Sequence, residues 1–346
     1  MLQFRKVALT IISLGLLQTA FAQADINEIN DLRTKKGGAD FKDTVAWVHS
    51  GSFALGVNQG LLHNWSAGGE LASLGINGLF NGSLTRYNKR RVWTNNLDAA
   101  YGLFYAFSND FEPRKTDDRI DLTSKYGYRL KEKSNLFFTS LFNAKTQFTK
   151  AYDYDIPNWK DQPTSGFFSP LYLTLAPGIE YSNVYKNSKY SLFFSPIAAR
   201  GTFVSKKYTN MYPEGAFGVR NGKNFRMELG AYFTGRYETN ITKDITYRTR
   251  LDLYSNYLAK NDVVNGVVVK KDNPGNIDIL WDNNFSFNFF KYFSLNFGVL
   301  AIYDNDVPYQ STYVENGVVM KKDEPLSGLG WWQIKQAMTV GFAYKF

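Results

Sequence analysis

The stretch WWQIKQAMTVGFAYKF, from Trp331 to Phe346, alternates in the way of a β-strand with two different faces. One parity is apolar apart from Gln336, and its apolar members are Trp332, Ile334, Met338, Val340, Phe342, Tyr344 and Phe346. The other parity carries small or polar residues such as Thr339 and Gly341. Because successive strand residues point to opposite faces, this stretch predicts a strand between an apolar and a polar environment.

The apolar face of this strand is aromatic at both ends, and Phe346 is itself the last residue of the sequence. Transmembrane barrels carry aromatic girdles at both interfaces with an apolar band between them. The final aromatic also resembles the C-terminal signal of bacterial outer-membrane barrels. A soluble antiparallel strand shares the alternation. The membrane interpretation therefore requires a secretory signal at the start and an even number of similar strands.

The first residues have the order of a secretory signal peptide. Arg5 and Lys6 form a basic start, Val7–Leu17 is an apolar run, and Ala20-Phe21-Ala22 is an A-x-A cleavage site. The sequence predicts a signal peptide over 1–22 and a polar periplasmic segment over 23–45. No other stretch approaches the roughly 20 apolar residues of a membrane helix. Residence in a membrane would therefore require a barrel.

Composition removes several classes of function. There is no cysteine, which excludes disulfides, thiol catalysis and cysteine-ligated metal, and the two histidines make a multi-histidine metal site a poor expectation. We expect no cofactor and no metal. Cleavage after Ala22 lowers the formal charge from +9 to +7 by removing Arg5 and Lys6. A basic chain with 28 Phe, 23 Tyr and 7 Trp could suggest nucleic acid, but export and aromatic belts explain it better.

Residues 46–346 contain further alternating segments, joined by short turns after even segments and long connections after odd ones. The pattern predicts an all-β fold: a transmembrane antiparallel up-and-down β-barrel of about 12 strands, with both termini in the periplasm. A soluble secreted β-sandwich is the alternative. Pro170, Pro177 and Pro196 require bulges or strand ends. The twelve segments are Trp47–Gln59, Leu71–Tyr87, Val92–Phe107, Arg119–Lys131, Asn135–Phe148, Phe168–Tyr185, Lys189–Val204, Asn224–Glu238, Ile245–Tyr257, Ile277–Phe290, Tyr292–Tyr303 and Trp331–Phe346.

Charged residues fall on the polar parity of these segments. A charge on the lipid side costs about 2–4 kcal/mol near the bilayer midplane, so these side chains should face the lumen. Two interpretations remain open: a narrow barrel filled by salt bridges, or a small polar pore whose arginines attract anions. The lumen-lining residues we predict are Arg119, Lys125, Arg129, Arg226, Glu228, Arg236, Arg248, Arg250, Asp252 and Asp282.

A repeat marks the last two long connections. Asn265–Pro274 reads NGVVVKKDNP and Asn316–Pro325 reads NGVVMKKDEP. Asn-Gly beside β-branched residues favours a type I′ turn. We predict two loop hairpins, with Asn265-Gly266 and Asn316-Gly317 at their tips, which either stiffen the loops or grip a partner.

Catalytic chemistry has weak support. His49 and Ser50 are neighbours and would point to opposite faces of a strand. His63 and Ser66 share the first long connection, where a lone histidine is usually solvated. Asp304-Asn305-Asp306 lacks the glycine and glutamate of a calcium loop. We therefore expect that the protein is not an enzyme.

One region resembles a known family. Asn64 to Glu70 carries an N-W-x-x-G-G-E core, in which Asn64, Trp65, Gly68 and Gly69 form a loop motif. Trp93–Asn96, Asp117–Arg119 and two Phe-Ser-Pro triplets ending at Pro170 and Pro196 follow in order. This order resembles an uncharacterised family of outer-membrane β-barrel proteins from Bacteroidota, a domain of unknown function. The resemblance implies a barrel in the outer membrane and implies no substrate.

Together these features predict a protein of the cell outer membrane. The leading hypothesis is a narrow pore or binding barrel for small polar or anionic solutes. The alternatives are a closed-lumen structural or assembly partner and a rim-sited hydrolase. Expected partners are outer-membrane lipid, the barrel-assembly machinery during biogenesis and small polar solutes, without nucleic acid.

Export can be tested directly. The mature protein should begin at Gln23, because small residues at Ala20 and Ala22 form the cleavage site. N-terminal sequencing of the protein from a membrane fraction would show this, and Ala22→Arg should leave the precursor uncleaved. A membrane-inserted chain that still begins at Met1 would contradict the prediction.

Overall fold

The computed structural model describes residues 46–61, 72–132, 134–154, 156, 158–213, 215–264, 267–270, 273–290, 293–304, 310–315, 318–323 and 332–345. The predicted signal peptide and the segment 23–45 lie outside the described residues. So do the motif residues Asn64, Trp65, Gly68 and Gly69, the turn residues Asn265, Gly266, Asn316 and Gly317, and the final Phe346.

Twelve antiparallel strands close into one barrel. Each strand pairs with its neighbours in sequence, and the first strand pairs with the last through Ser52 opposite Lys345 and Gly56 opposite Gly341. The predicted antiparallel up-and-down barrel is therefore confirmed. The barrel strands are β1 (Ala46–Leu61), β2 (Ala72–Asn88), β3 (Arg91–Ala106), β4 (Arg114–Arg129), β5 (Leu136–Thr146), β8 (Leu171–Tyr185), β9 (Ser188–Phe203), β10 (Phe225–Asn240), β11 (Ile245–Asn256), β14 (Ile277–Phe290), β15 (Phe293–Tyr303) and β18 (Gln333–Lys345).

Six further strands lie in the long connections as three two-stranded sheets. Two of these sheets are the hairpins predicted from the repeat, although their Asn-Gly tips lie outside the described part. A single helical turn, α1 (Lys206–Thr209), lies in the connection between β9 and β10. The loop strands are β6 (Ala151–Tyr152), β7 (Pro163–Ser165), β12 (Asp262–Val264), β13 (Val267–Lys270), β16 (Gln310–Glu315) and β17 (Val318–Asp323).

The outward face of the barrel is a band of exposed apolar side chains. On β5 and β8 alone, Phe138 is 51% exposed and Leu175 is 54% exposed. A water-soluble protein rarely leaves so much contiguous apolar surface uncovered. Aromatic pairs lie at both ends of the band, with Trp47 beside Trp93 at the short-turn end and Phe107 beside Phe111 at the long-loop end. This is the lipid-facing arrangement of a transmembrane barrel. Among the described residues, no helix is both long and apolar enough to span a membrane.

The prolines are accommodated as predicted, by a strand end and a bulge. Pro170 immediately precedes β8, and the pairing of β8 with β9 shifts register between Leu175 and Ile179. The β9 strand carries one extra residue there, since two residues of β9 lie opposite Ala231 of β10. The single Ser195 hydroxyl hydrogen is shared between the carbonyl oxygens of Pro177 (2.7 Å) and Ile197 (2.9 Å). It thereby satisfies carbonyl groups that the interrupted ladder leaves open.

The predicted start of the fourth strand was wrong by five residues. The sequence indicated Arg119, whereas β4 begins at Arg114. The register of β3 with β4 shifts between Gly102 and Leu103, so that Thr116 is an extra residue. A bulge reverses the parity of the residues beyond it, and the alternation that guided the prediction ends there.

Glycine is required where β10 meets its neighbour β11. A Cβ on Gly230 would lie 1.9 Å from the carbonyl oxygen of Ser255 and 3.0 Å from the ring of Tyr254. The first of these atoms is backbone and cannot rotate away. Gly230 therefore lets an aromatic side chain and a neighbouring strand approach within the barrel wall.

We expect Gly230→Ala to destabilise the folded barrel by about 1–3 kcal/mol through overpacking. Gly235→Ala on the same strand is the matched control, because its closest contact would be a leucine side-chain carbon at an ordinary 3.4 Å. Urea midpoints in lipid vesicles, followed by the heat-dependent gel shift of folded barrels, would measure both. Equal midpoints for the two variants would contradict this account of Gly230.

Candidate functional site

The charged residues predicted for the lumen fall on the inward parity of their strands. Several form ion pairs: Arg226 contacts Glu228 on the same strand (3.0 Å), and Arg248 of β11 contacts Glu238 of the neighbouring β10 (3.2 Å). Arg129 lies at the short-turn end, where its Nη1 donates to the carbonyl oxygen of Glu132 at 3.1 Å. The inward-parity set is Arg119, Lys125, Arg129, Arg226, Glu228, Arg236, Arg248, Arg250, Asp252 and Asp282.

An ion pair crosses the lumen at mid-height. Arg250 of β11 places Nη1 3.4 Å from Oδ2 of Asp121 on β4, and Nη2 2.6 Å from Oδ2 of Asp252. Four strands separate β11 from β4 on one side of the ring and six on the other. The two partners therefore come from nearly opposite walls, and their contact divides the lumen.

Asp121 is held by more than this one arginine. Lys145 Nζ lies 3.8 Å from its Oδ2, and the Asn143 amide donates a hydrogen bond to its Oδ1. Asp121 is only 6% exposed and Asp252 7% exposed. Buried carboxylates are tolerated only when paired in this way. The result is a compact charged layer, the midplane cluster, made of Asp121, Lys145, Arg250 and Asp252.

Further ion pairs lie on either side of the midplane cluster. Lys125 Nζ is 2.9 Å from Oε1 of Glu180, to which the Ser191 hydroxyl also donates. Toward the long loops, Arg200 pairs with Asp278 at 2.5 Å. Its guanidinium also stacks 3.6 Å from the ring centre of Tyr254.

One wall of the lumen also carries buried apolar side chains. They form a cluster across β5, β8, β9, β10 and β11, where Lys125 lies over the ring of Phe193 at 5.6 Å. Together with the ion pairs, this cluster fills the side of the barrel from β4 to β11. Its members are Leu141, Ala176, Phe193, Ala198, Tyr232 and Tyr254.

The opposite side, formed by β1 to β3, presents small polar residues to the lumen. Asn81 of β2 donates a hydrogen bond to Asp98 of β3 at 2.5 Å, and at mid-height of the wall it is still exposed. At the long-loop end, Lys335 of β18 pairs with Asp117 of β4 at 2.8 Å, with side chains 45% and 29% exposed. Water therefore reaches this side of the lumen at both levels.

Three of the predicted arginines keep a buried nitrogen atom without a hydrogen-bond acceptor. The Nε atoms of Arg119, Arg236 and Arg248 lack a hydrogen-bond partner within the described part of the chain. Arg248 still lies against the Glu238 carboxylate. Arg119 and Arg236, by contrast, form no ion pair with a carboxylate in that part. They are candidates for contact with a solute.

Sequence reasoning missed three charged partners of the lumen. Lys145, Glu180 and Arg200 belong to strands whose faces the proline residues or the short length obscured. The bulge at Pro196 and Ile197 shifts parity, which is why the inward position of Arg200 is not evident from alternation. The inward positions of Lys145 and Glu180 could have been found by requiring that charged side chains avoid the lipid face.

The residues considered for catalysis are not assembled into a site in the described structure. His49 is exposed on the outward parity of β1, together with Phe53 and Leu55. His63 and Ser66 lie outside the described residues. Over the described ranges, no group of three or more histidine, aspartate or glutamate residues has the geometry to hold a metal ion.

Comparison with known proteins gives a family match over part of the chain. Residues 57–152 match the family described as "Protein of unknown function (DUF3078)". No curated protein matches. Among solved structures, the translocator domain of autotransporter NalP from Neisseria meningitidis is 10% identical, covers 93% of this chain and 97% of its own, and has a TM-score of 0.33.

Two further barrels are similar at the same level. The NanC porin is 9% identical with a TM-score of 0.35, over 84% of this chain and 98% of its own. A Pseudomonas aeruginosa FadL homologue is 8% identical with a TM-score of 0.29, over 88% of this chain and 89% of its own. The barrel assignment follows from the strand pairing itself.

Removing the arginine of the midplane cluster should destabilise the barrel. We expect Arg250→Gln to cost roughly 3–5 kcal/mol, because it leaves Asp121 and Asp252 buried without their shared cation. Arg248→Gln on the same strand is the control and should cost about 1 kcal/mol or less, since Arg248 is 43% exposed. Unfolding in urea would compare them, and a loss for Arg250→Gln no larger than for the control would contradict the cluster's role.

Proposed function

We propose that this protein is an outer-membrane barrel through which small polar solutes pass along one side of a half-filled lumen. The lipid-facing band and the alternation of short turns with long loops support the membrane placement. The filled wall from β4 to β11 makes the passage narrow. The side formed by β1 to β3 supplies its polar lining.

The observation that carries this proposal is the exposure of Asn81. It faces inward at mid-height, at the level where the Arg250–Asp121 pair crosses the barrel. If the midplane cluster sealed the whole cross-section, an asparagine at that level would be buried. Hydration beside the cluster therefore supports a path past it.

The path should discriminate weakly between anions and cations. The sequence suggested anion preference because of the lumenal arginines, but Arg200, Arg226, Arg248 and Arg250 each lie against a carboxylate. Beside the hydrated side, Lys335 pairs with Asp117, and Arg119 interacts electrostatically with Asp282. Selectivity among solutes would then depend on size and hydrogen bonding.

Single-channel recording in a planar bilayer tests this function. The wild-type protein should give small steady openings with little reversal potential in a salt gradient. Asn81→Trp should reduce the conductance at least several-fold by filling the hydrated side at mid-height. Leu84→Trp is the control, since Leu84 of the same strand is 43% exposed on the lipid-facing side. Equal conductance of both variants would contradict the proposed path.

A second function is favoured by the ion pair that crosses the lumen. If the midplane cluster never opens a path for ions, the barrel would act as a closed-lumen structural or assembly partner. That function predicts a folded, heat-modifiable wild-type barrel without conductance, which co-purifies with another envelope protein.

A further inference from the structure

Two long connections fold against each other at the outer end of the barrel. Residues 147–170 join β5 to β8, and residues 204–224 join β9 to β10. Val204, Tyr208 and Val219 form a small apolar cluster within the second connection. The Ser205 amide donates to the Ser169 hydroxyl at 3.1 Å, which ties the two connections together. Together the two connections form one packed surface at the outer end of the barrel.

This surface presents two phenylalanine rings to the outside. Gly166 and Ser169 exchange two backbone hydrogen bonds, of 2.8 and 2.9 Å, and are themselves buried. The turn between them carries Phe167 and Phe168, which are 56% and 47% exposed and stack with ring centres 4.0 Å apart. Phe168 has a φ of 53°, a costly conformation for a bulky residue. The fold therefore tolerates a strained backbone conformation in a turn that exposes two apolar rings.

The phenylalanine pair continues the lipid-facing band at its outer edge. The Phe168 amide donates to the Thr146 hydroxyl at 3.1 Å, and that hydroxyl donates to the Pro170 carbonyl at 3.0 Å. Thr146 is the last residue of β5 and shares its outward parity with Phe138 and Phe142. In the membrane placement proposed above, the pair would lie where the acyl chains of the outer leaflet meet their headgroups.

One lysine lies beside the same turn, and a second lies beside Tyr208, whose hydroxyl meets that turn. Gly166 lies next to both Tyr208 and Lys150, since a Cβ there would meet the Tyr208 hydroxyl and, at 3.8 Å, Lys150 Cγ. Lys207 Nζ lies 5.8 Å from the Tyr208 ring centre. Both lysines are exposed, and neither pairs with a carboxylate among the described residues. Burial raises the pKa of Tyr208, so its hydroxyl beside Gly166 is neutral and available as a donor.

We propose that Lys150, Phe167, Phe168 and Lys207 form a site for an anionic lipid of the outer leaflet. The lysines would bind the phosphate of its headgroup while an acyl chain lies along the stacked rings. A free anion would leave the rings uncovered, whereas a phospholipid or phosphorylated glycolipid would contact both the lysines and the rings. The inference depends on the membrane placement proposed above, and it does not require an open lumen.

Native mass spectrometry of the mature protein, released from micelles with equal amounts of phosphatidylglycerol and phosphatidylcholine, tests the site. Wild type should retain phosphatidylglycerol preferentially. Lys150→Gln with Lys207→Gln should lower this preference about 25-fold, because each lysine near an anionic headgroup contributes roughly fivefold and the two factors multiply. Phe167→Ser with Phe168→Ser should reduce the amount of phosphatidylglycerol retained.

The control is Lys243→Gln, because Lys243 is 89% exposed at the opposite end of the barrel. An equal loss of preference in this variant would overturn the site, as would displacement of the lipid by inorganic phosphate. A folded, heat-modifiable barrel without any lipid preference would overturn this inference alone. A chain that fails to enter micelles or bilayers would overturn the proposed function as well.

Discussion

The closure of the strand ladder is the constraint on which the rest of the structure depends. In hydrocarbon, each unpaired backbone amide or carbonyl costs several kcal/mol, so an open sheet edge cannot persist there. Pairing of β1 with β18 removes both edges of the sheet. Closure then forces every strand to have one lipid face and one lumenal face. The apolar band, the charged lumen and the placement of all loops at two ends follow from that single requirement.

The lumen shows how a narrow barrel offsets the free-energy cost of enclosing charged side chains. Charges cannot face lipid, so they point inward, where they would be partly desolvated. Arg250 pairs with one carboxylate from its own wall and one from the far wall, and these ion pairs offset the cost of desolvation. The same pairing makes the two sides of the lumen unequal, because long side chains fill one side while small residues line the other. The proposed passage of solutes runs along the second side.

Much of this fold could be predicted from alternation alone. Two residue faces and an even number of strands were enough to find all twelve barrel strands, and the segment Ile277–Phe290 has the predicted bounds. Alternation is a local property, however, and fails where a bulge adds a residue, as at Thr116 and at Pro196 and Ile197. It also cannot tell which strands face each other across the ring. The contact of Arg250 with Asp121, separated by 129 residues, depends on the closed geometry and not on any local pattern.

The extra residue in β9 has a consequence for how this sequence can change by insertion and deletion. In a regular strand, losing one residue turns every side chain on one side of the loss to the opposite face. At the bulge the loss of Ile197 would instead restore simple alternation, with Ser195 and Ala198 still facing inward. The Thr116 position of β4 has the same property. These two bulges are therefore places where the barrel wall can gain or lose a residue while the lipid and lumenal faces keep their chemistry.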